Sequence, residues 1–90
     1  NNWFRFWTTK LDMDNNKIYV QAFIEAFEVK EDEVPNLEYE SIEAWDSVGH
    51  MVLIAELEER FDIIIDMEDI IDFSGFEKGK ELLGKYDVSF

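Results

Sequence analysis

The sequence predicts an all-α fold, in which four helices form a bundle with a long first loop and a short third helix. Two segments repeat apolar residues with the 3.6-residue period of an amphipathic helix. The one β-branched run, residues 63–65, is too short to form a sheet without partner strands. Ninety residues with 47 % hydrophobic and 16 % aromatic content suit a single domain with one modest core.

The first helix is predicted over residues 16–28, with Asp14 or Asn15 as its N-cap. Five apolar residues share one face of this segment at 100° per residue, and polar residues take the other face. The apolar face consists of Tyr19, Val20, Phe23, Ile24 and Phe27. This pattern is typical of an ordinary amphipathic helix that packs on one side.

Residues 30–45 show no sustained period, contain the only proline of the chain, and are rich in glutamate. They are expected to form a long surface connection, which is uncommon in a compact domain and is usually functional or poorly ordered. Its apolar members are predicted to attach it to the core: Val34, Leu37, Ile42 and Trp45.

The second helix is predicted over residues 47–60, with Asp46 as its cap, and it has apolar residues on two faces. The inner face is predicted to contain His50, Leu53, Ile54, Leu57 and Phe61. The opposite face contains Val48, Met51, Val52 and Ala55, and is continued by Glu58 and Glu59. An apolar strip with an acidic rim that faces away from the core is typical of a protein-binding surface. The alternative is that another element of the fold covers this side.

The last third of the chain is predicted to hold two further helices after an extended connector at residues 63–65. A short third helix is expected over residues 66–73, with Met67, Ile70 and Ile71 pointing inward. A capping box formed by Ser74 and Glu77 is expected to open the last helix, which continues to residue 85. This helix carries the apolar residues Phe76, Leu82, Leu83 and Tyr86, and Gly79 is expected to weaken it.

Residues 1–12 differ in composition from the rest of the chain, because they combine four aromatic side chains with Arg5 and Lys10 and almost no acid. They are interpreted as a disordered or appended segment, so that the domain spans residues 13–87. The alternative is an aromatic arm that docks on the domain or on a neighbouring molecule.

Residues 12–23 superficially resemble the start of a calcium-binding loop, with oxygen ligands at alternate positions. Such a loop needs a glycine at its sixth position and a bidentate glutamate at its twelfth. Here those positions hold Lys17 and Phe23. The sequence therefore predicts no metal site.

The charge of the chain restricts the partners that it can have. With 22 acidic and 8 basic residues, the formal net charge is −14, which disfavours nucleic acid and anionic membranes and favours basic protein partners. No cysteine is present to form a disulfide, and the longest apolar run, residues 51–55, is too short to span a bilayer. No secretory signal is visible, so a cytoplasmic location is expected. The protein is also expected to be a monomer.

No arrangement of residues argues for catalysis. His50 and Ser47 are three residues apart on the second helix, but nothing suggests oxyanion donors or an enclosing pocket, so a packed histidine is the preferred interpretation. A serine hydrolase built on this pair is a weak alternative. Ser47 itself stands at a helix start, where free N–H groups and the helix dipole favour a negative group.

The tripeptide Asp46-Ser47-Val48, followed by GHMVLIAELEERFDIII, resembles the Asp-Ser-Leu motif and recognition helix of acyl carrier proteins. The similarity extends over residues 45–83, is looser over the first helix, and does not include residues 1–12. The resemblance implies a four-helix bundle of the acyl carrier type, a non-enzymatic protein that carries an acyl or aminoacyl group as a thioester. The group would be held on a phosphopantetheine arm, donated by coenzyme A and attached to Ser47.

The resemblance also implies roles for the residues around the serine. Asp46 would help a phosphopantetheinyl transferase to recognise Ser47. The outer face would meet the basic, apolar-centred surfaces of enzymes that load and transfer acyl or aminoacyl groups. The implied contact residues are Val48, Met51, Ala55, Glu58 and Glu59.

The chain also departs from the family pattern. Val48 replaces the usual leucine, Val52 stands where many fatty-acid carriers have an acid, and Asp66 stands where a proline often opens the third helix. The common glycine before the motif is missing. These differences favour a carrier that serves a specialised biosynthetic pathway. The alternative from another class is an unmodified acidic helical adaptor that binds a basic partner through the same face.

Overall fold

The computed structural model describes residues 14–90, and this part of the chain is mostly helical. Its α-helices are α1 (Asn15–Phe27), α2 (Ser47–Phe61), α3 (Met67–Asp72) and α4 (Phe76–Leu83), and two 3₁₀ helices span Glu31–Asn36 and Gly84–Tyr86. Within these residues no strand is formed, and the predicted all-α fold class is confirmed. The predicted appended segment, residues 1–12, lies outside the described residues. None of the described helices is long and apolar enough to cross a membrane.

Helix α1 buries the apolar face that its period predicts. Asp14, one of the two predicted caps, precedes the helix but makes no side-chain capping hydrogen bond. Tyr19 and Phe23 are fully buried, and the Tyr19 hydroxyl donates a hydrogen bond of 2.6 Å to the carbonyl oxygen of Phe76. Burial raises the pKa of Tyr19, and the nearby charge of Glu77 adds to this effect. The tyrosine therefore stays neutral and ties α1 to the start of α4.

The long connection is better ordered than its sequence suggests. Residues 31–36 form a 3₁₀ helix, and the Glu33 carboxylate accepts a hydrogen bond of 2.9 Å from the Lys30 N–H. Three of the four predicted attachment residues are buried, namely Val34, Leu37 and Trp45, and Ile42 is half-buried. The connection is thus fastened to the core at several points along its length.

Trp45 fixes how α1 and α2 meet. Its ring stacks on Phe27, at the end of α1, with centroids 5.0 Å apart, and meets the edge of Phe23 at 5.6 Å. At the opposite end, the ring of Phe90 lies 5.1 Å from Tyr19 and 6.4 Å from Phe61. The end of α1 therefore lies beside the start of α2, and the two helices run antiparallel.

Helix α2 matches its prediction closely at both ends, since it begins at Ser47 and ends at Phe61. The predicted inner face is confirmed, because His50, Leu53, Ile54 and Leu57 are buried and Phe61 is half-buried. The helix stops at Asp62, which adopts a left-handed conformation with φ of 55°. Residues 63–65, predicted as an extended connector, have no regular secondary structure and join α2 to α3.

The predicted orientation of α3 is wrong for two of its three apolar residues. Ile70 is buried, but Met67 and Ile71 are 67 % and 73 % exposed. The buried face instead passes through Asp69, Ile70 and Phe73, and the Asp69 carboxylate is held by hydrogen bonds from the end of the chain. Charged residues are seldom buried unless they are paired, so the pattern of apolar residues predicted that the face containing Asp69 would be exposed.

The predicted start of the last helix is also wrong, because Ser74 does not cap it. The Ser74 carbonyl accepts a hydrogen bond from the Tyr39 N–H, and Gly75 forms an isolated antiparallel bridge with Glu38. This backbone pairing keeps the chain extended until Phe76, where α4 begins. The helix ends at Leu83 and continues as a 3₁₀ turn, close to the predicted end at residue 85.

Gly79 is required by the packing, although the sequence suggests that it weakens α4. A Cβ atom at this position would overlap the hydroxyl of Tyr19 and the ring of Phe73, both of which are fully buried. The missing side chain lets α4 approach these two rings closely. The gain in packing outweighs the conformational entropy that a glycine loses in a helix.

We predict that Gly79→Ala destabilises the protein by about 1–3 kcal/mol, because overpacking costs more than the roughly 1 kcal/mol gained in helix propensity. Urea denaturation followed by circular dichroism measures the change. Gly84→Ala is the matched control, because a Cβ there would meet nothing within 4 Å. Equal free energies of unfolding for the two variants would contradict the packing role of Gly79.

Candidate functional site

The start of α2 is fixed by a side-chain cap. The Asp46 Oδ1 atom accepts a hydrogen bond of 2.8 Å from the Gly49 N–H, as the prediction of Asp46 as the N-cap requires. A carboxylate at this position also interacts favourably with the positive end of the helix dipole. The first turn of α2, which begins with Ser47, is therefore held in place.

Gly49 allows the preceding loop to lie against this first turn. A Cβ at position 49 would collide with the carbonyl oxygen of Ala44 and would crowd the ring of Phe27. The close approach of Ala44 sets the chain direction into Trp45 and Asp46. Any larger residue at position 49 would push the loop away and move the start of α2.

Ser47 is exposed and lies on the edge between the two faces of α2. At 100° per residue it is rotated by about 60° from His50 on the inner face and by about 40° from Met51 on the outer face. Its hydroxyl makes no hydrogen bond within residues 14–90. The side chain is thus accessible to a reagent or an enzyme that approaches from the solvent.

An open groove of about 450 Å³ lies beside Ser47, between α2 and α3. We call it the Ser47 groove, and its walls are mostly apolar. It is lined by Tyr39, Ser47, His50, Met51, Met67, Ile70, Ile71, Phe73 and Ser74. Helix α3 supplies one wall through Met67 and Ile71, and α2 supplies the other through Met51. Such a concave, apolar surface with a few polar groups is the usual form of a small-ligand site.

His50 forms part of the groove wall and is 9 % exposed. Its Nδ1 atom accepts a hydrogen bond of 2.9 Å from the indole N–H of Trp45. Because an indole nitrogen can only donate, Nδ1 carries no proton. The Nε2–H therefore donates to the carbonyl oxygen of Ile70, at 2.7 Å. His50 is a neutral imidazole whose tautomer is set by its two partners.

This geometry confirms that His50 is a packed histidine and counts against a Ser47–His50 catalytic pair. A general base needs a free nitrogen within hydrogen-bond reach of the hydroxyl that it deprotonates. Both nitrogens of His50 are engaged, one by Trp45 and one by Ile70. The imidazole instead joins the loop before α2 to the last turn of α3.

The outer face of α2 is exposed, as predicted. Val48, Met51 and Val52 are 71 %, 51 % and 43 % exposed, and Ala55 and Glu59 are also exposed. This face is not covered by any element of the described chain.

Glu58 differs from the other residues predicted to meet partners. It is half-buried, and its Oε2 atom accepts a hydrogen bond of 2.9 Å from the Ile65 N–H. Glu58 therefore holds the connector between α2 and α3 against the end of α2. Substituting it would disturb the fold as well as the surface charge.

The structure adds Met67, Ile71 and Tyr39 to the site, none of which the sequence placed there. Met67 and Ile71 extend the apolar surface of α2 across the groove and onto α3. No local pattern in the sequence reveals Met67 and Ile71, because the long-range pairing of Asp69 with Lys85 and Tyr86 turns α3 so that these two side chains face outward.

Comparison of the chain with protein-family models, with curated proteins and with solved structures finds no match in any of the three. The resemblance to acyl carrier proteins therefore rests on the residues of the chain itself.

We predict that His50→Leu lowers the free energy of unfolding by about 1–3 kcal/mol, because it leaves the Trp45 N–H without its acceptor and the Ile70 carbonyl with only the 3.4 Å hydrogen bond from the Phe73 N–H. A double-mutant cycle with Trp45→Phe, followed by urea denaturation, should give a coupling energy of about 1 kcal/mol. Gln21→Leu, which removes an exposed hydrogen bond to Glu25, serves as the control for a polar-to-apolar change. Additive effects of His50→Leu and Trp45→Phe would show that the two side chains are not coupled.

Proposed function

We propose that this protein is an acyl carrier protein whose helices form the four-helix bundle typical of that family. Ser47 is the attachment site of a phosphopantetheine arm derived from coenzyme A. The arm carries an acyl or aminoacyl group as a thioester, and the protein has no catalytic role. The observation that carries the proposal is the position of Ser47: it is exposed at the first position of α2 and borders an apolar groove.

The electrostatics at Ser47 suit an attached phosphodiester. The first N–H groups of α2 point toward this end, and the helix dipole adds partial positive charge there. Asp46 precedes Ser47 in the chain, and its Oδ1 atom accepts the hydrogen bond from the Gly49 N–H that caps the helix. The repulsion between Asp46 and a phosphodiester is reduced because the Asp46 charge is partly balanced by that donor.

The groove suits the rest of the arm and its cargo. Met51, Met67 and Ile71 offer apolar contact to a carbon chain, and the lining also includes the hydroxyl-bearing residues Ser74 and Tyr39. The volume of about 450 Å³ falls within the usual range for small-ligand sites. The arm supplies the reactive thiol, and the residues of this chain supply attachment, orientation and partial shelter from water.

The exposed face of α2 supports the proposed partners. Its apolar centre at Val48, Met51 and Val52 is uncovered, and Glu59 and Asp46 contribute acidic charge at its rim. A phosphopantetheinyl transferase, and enzymes that load or transfer acyl or aminoacyl groups through basic faces, complement this surface. With Met67 and Ile71 across the groove, the partner surface extends onto α3.

A second function is favoured by the same exposed residues. Five large apolar side chains on α2 and α3 are enough for a basic, apolar partner to dock without any modification of Ser47. These are Val48, Met51, Val52, Met67 and Ile71. The protein would then be an acidic adaptor, and Ser47 would be an ordinary serine at the start of a helix.

Intact mass measurement after incubation with coenzyme A and a broad-specificity phosphopantetheinyl transferase separates the two functions. The carrier function predicts a mass gain of one phosphopantetheine in the unaltered protein and none in Ser47→Ala. Ser74→Ala is the matched control, because it removes an exposed hydroxyl from the same groove and should leave the mass gain unchanged. No gain with any transferase tried would favour the adaptor.

The same reaction tests the partner face when the transferase is limiting. Met51→Glu should slow the modification about tenfold or more, because it places a charge at the centre of the apolar contact. Ile64→Glu is the matched control, since Ile64 is 83 % exposed but lies on the connector after α2. Equal rates for the two variants would remove the α2 face from the recognition of Ser47.

A further inference from the structure

Helix α3 is held in place by few apolar contacts. Of its six residues only Asp69 and Ile70 are buried, and two of its three apolar side chains, Met67 and Ile71, face the solvent and the Ser47 groove. A helix of this length gains little stability from its own backbone hydrogen bonds. Ile70 and the flanking residues Ile65 and Phe73 attach it to the core, and polar contacts must contribute the rest of its positioning.

A cluster of side chains fastens α3 to the end of the chain. The Tyr86 hydroxyl donates to Asp69 Oδ2 at 2.6 Å, and Lys85 Nζ donates to Asp69 Oδ1 at 2.9 Å. The Tyr86 hydroxyl also accepts a hydrogen bond of 2.9 Å from the Asp66 N–H, at the start of α3. Both carboxylate oxygens of Asp69 are thus paired, and this side chain is only 9 % exposed.

The two ends of α3 are held by different elements. Tyr86 holds the first turn through Asp66, whereas His50 holds the last turn through the Ile70 carbonyl. The His50 contact joins α3 to α2, and the Tyr86 contact joins it to the 3₁₀ helix Gly84–Tyr86. Without the Tyr86 contact, the first turn of α3 would be held only by Lys85, through Asp69, and by the preceding residue Ile65, which is buried and donates to Glu58.

We propose that Asp69, Lys85 and Tyr86 form a latch that positions α3 and thereby sets the width of the Ser47 groove. Met67 and Ile71 form the α3 wall of the groove, so any movement of α3 at its first turn changes the distance to Met51 on the opposite wall. Asp69 and Tyr86 are positioning residues, because neither borders the groove. That the latch controls access of an attached cargo rests on the proposed carrier function; its control of α3 does not.

The charges around the latch favour the state in which Lys85 and Tyr86 are hydrogen-bonded to ionised Asp69 at neutral pH. The Tyr86 hydrogen bond, followed by the Lys85 hydrogen bond and charge, holds the pKa of Asp69 below its usual value, and Lys78 on α4 adds to this. Because the pKa of Asp69 is lower in the folded state, ionised Asp69 stabilises the folded state at pH values above its unfolded-state pKa. This stabilisation is lost as the pH falls through the folded-state pKa. The same hydrogen bond raises the pKa of Tyr86, so the tyrosine keeps the proton that it donates to Asp69. The other charged groups at the latch are Asp66 and Asp72.

The latch is tested on the unmodified full chain with Tyr86→Phe, which removes only the hydroxyl. Amide hydrogen exchange should accelerate about tenfold at Ile70, whose N–H donates to the Asp66 carbonyl, while the amides of α1 and α2 keep their rates. Tyr39→Phe is the matched control, because its hydroxyl borders the same groove and makes no hydrogen bond within residues 14–90. Tyr39→Phe should leave the exchange of α3 unchanged.

The width of the groove is measured directly by spin labels, which can be placed uniquely because the chain contains no cysteine. With labels on Val52→Cys in α2 and Glu68→Cys in α3, Tyr86→Phe should broaden the distance distribution and Tyr39→Phe should not. Unchanged exchange and distances, or acceleration of all helices alike, would overturn the latch. If Tyr86→Phe does not fold, Lys85→Met replaces it and should give a smaller but equally selective effect.

These measurements do not depend on Ser47. A failed latch with successful modification of Ser47 would leave the carrier function intact. A working latch with no modification would leave α3 as a positioned wall of a groove that serves another ligand.

Discussion

The two hydrogen bonds of His50 are the constraint on which the rest of the structure depends. The imidazole accepts from the Trp45 indole and donates to the Ile70 carbonyl, so it joins the loop before α2 to the end of α3. Trp45 in turn stacks on Phe27 and fixes the end of α1 beside the start of α2. A buried polar group is tolerated only when its partners are complete, and among the described residues no buried side-chain nitrogen or oxygen lacks a partner.

This constraint divides α2 into sides with different tasks. The inner side, from His50 to Leu57, is committed to the core, and the outer side around Val48 and Met51 is uncovered. Ser47 lies on the boundary between the two, beside a groove whose second wall is α3. Both nitrogens of His50 are engaged, by Trp45 and by Ile70, so this histidine is not available as a base for the exposed hydroxyl of Ser47.

The sequence alone predicts the parts of the fold that local patterns determine. Helices α1 and α2 follow from apolar residues at helical spacing, and the cap at Asp46 follows from residue type. The orientation of α3 does not, because it depends on Asp69 meeting Lys85 and Tyr86, which lie 16 and 17 residues later in the chain. The roles of Ser74 and Gly79 escape prediction for the same reason: one is set by backbone pairing with residues 38–39 and the other by the rings of Tyr19 and Phe73. Ser47 and the α2 half of the site were therefore predictable, and the α3 wall was not.

The most direct test of the His50 constraint is the protonation state of its ring in the unmodified protein, measured from the ¹⁵N chemical shifts of its two nitrogens. We predict a neutral imidazole with its proton on Nε2 and none on Nδ1, together with a slowly exchanging indole N–H on Trp45. A proton on Nδ1, or a ring that averages between tautomers, would contradict it. Either result would show that His50 is not held between the Trp45 indole and the Ile70 carbonyl.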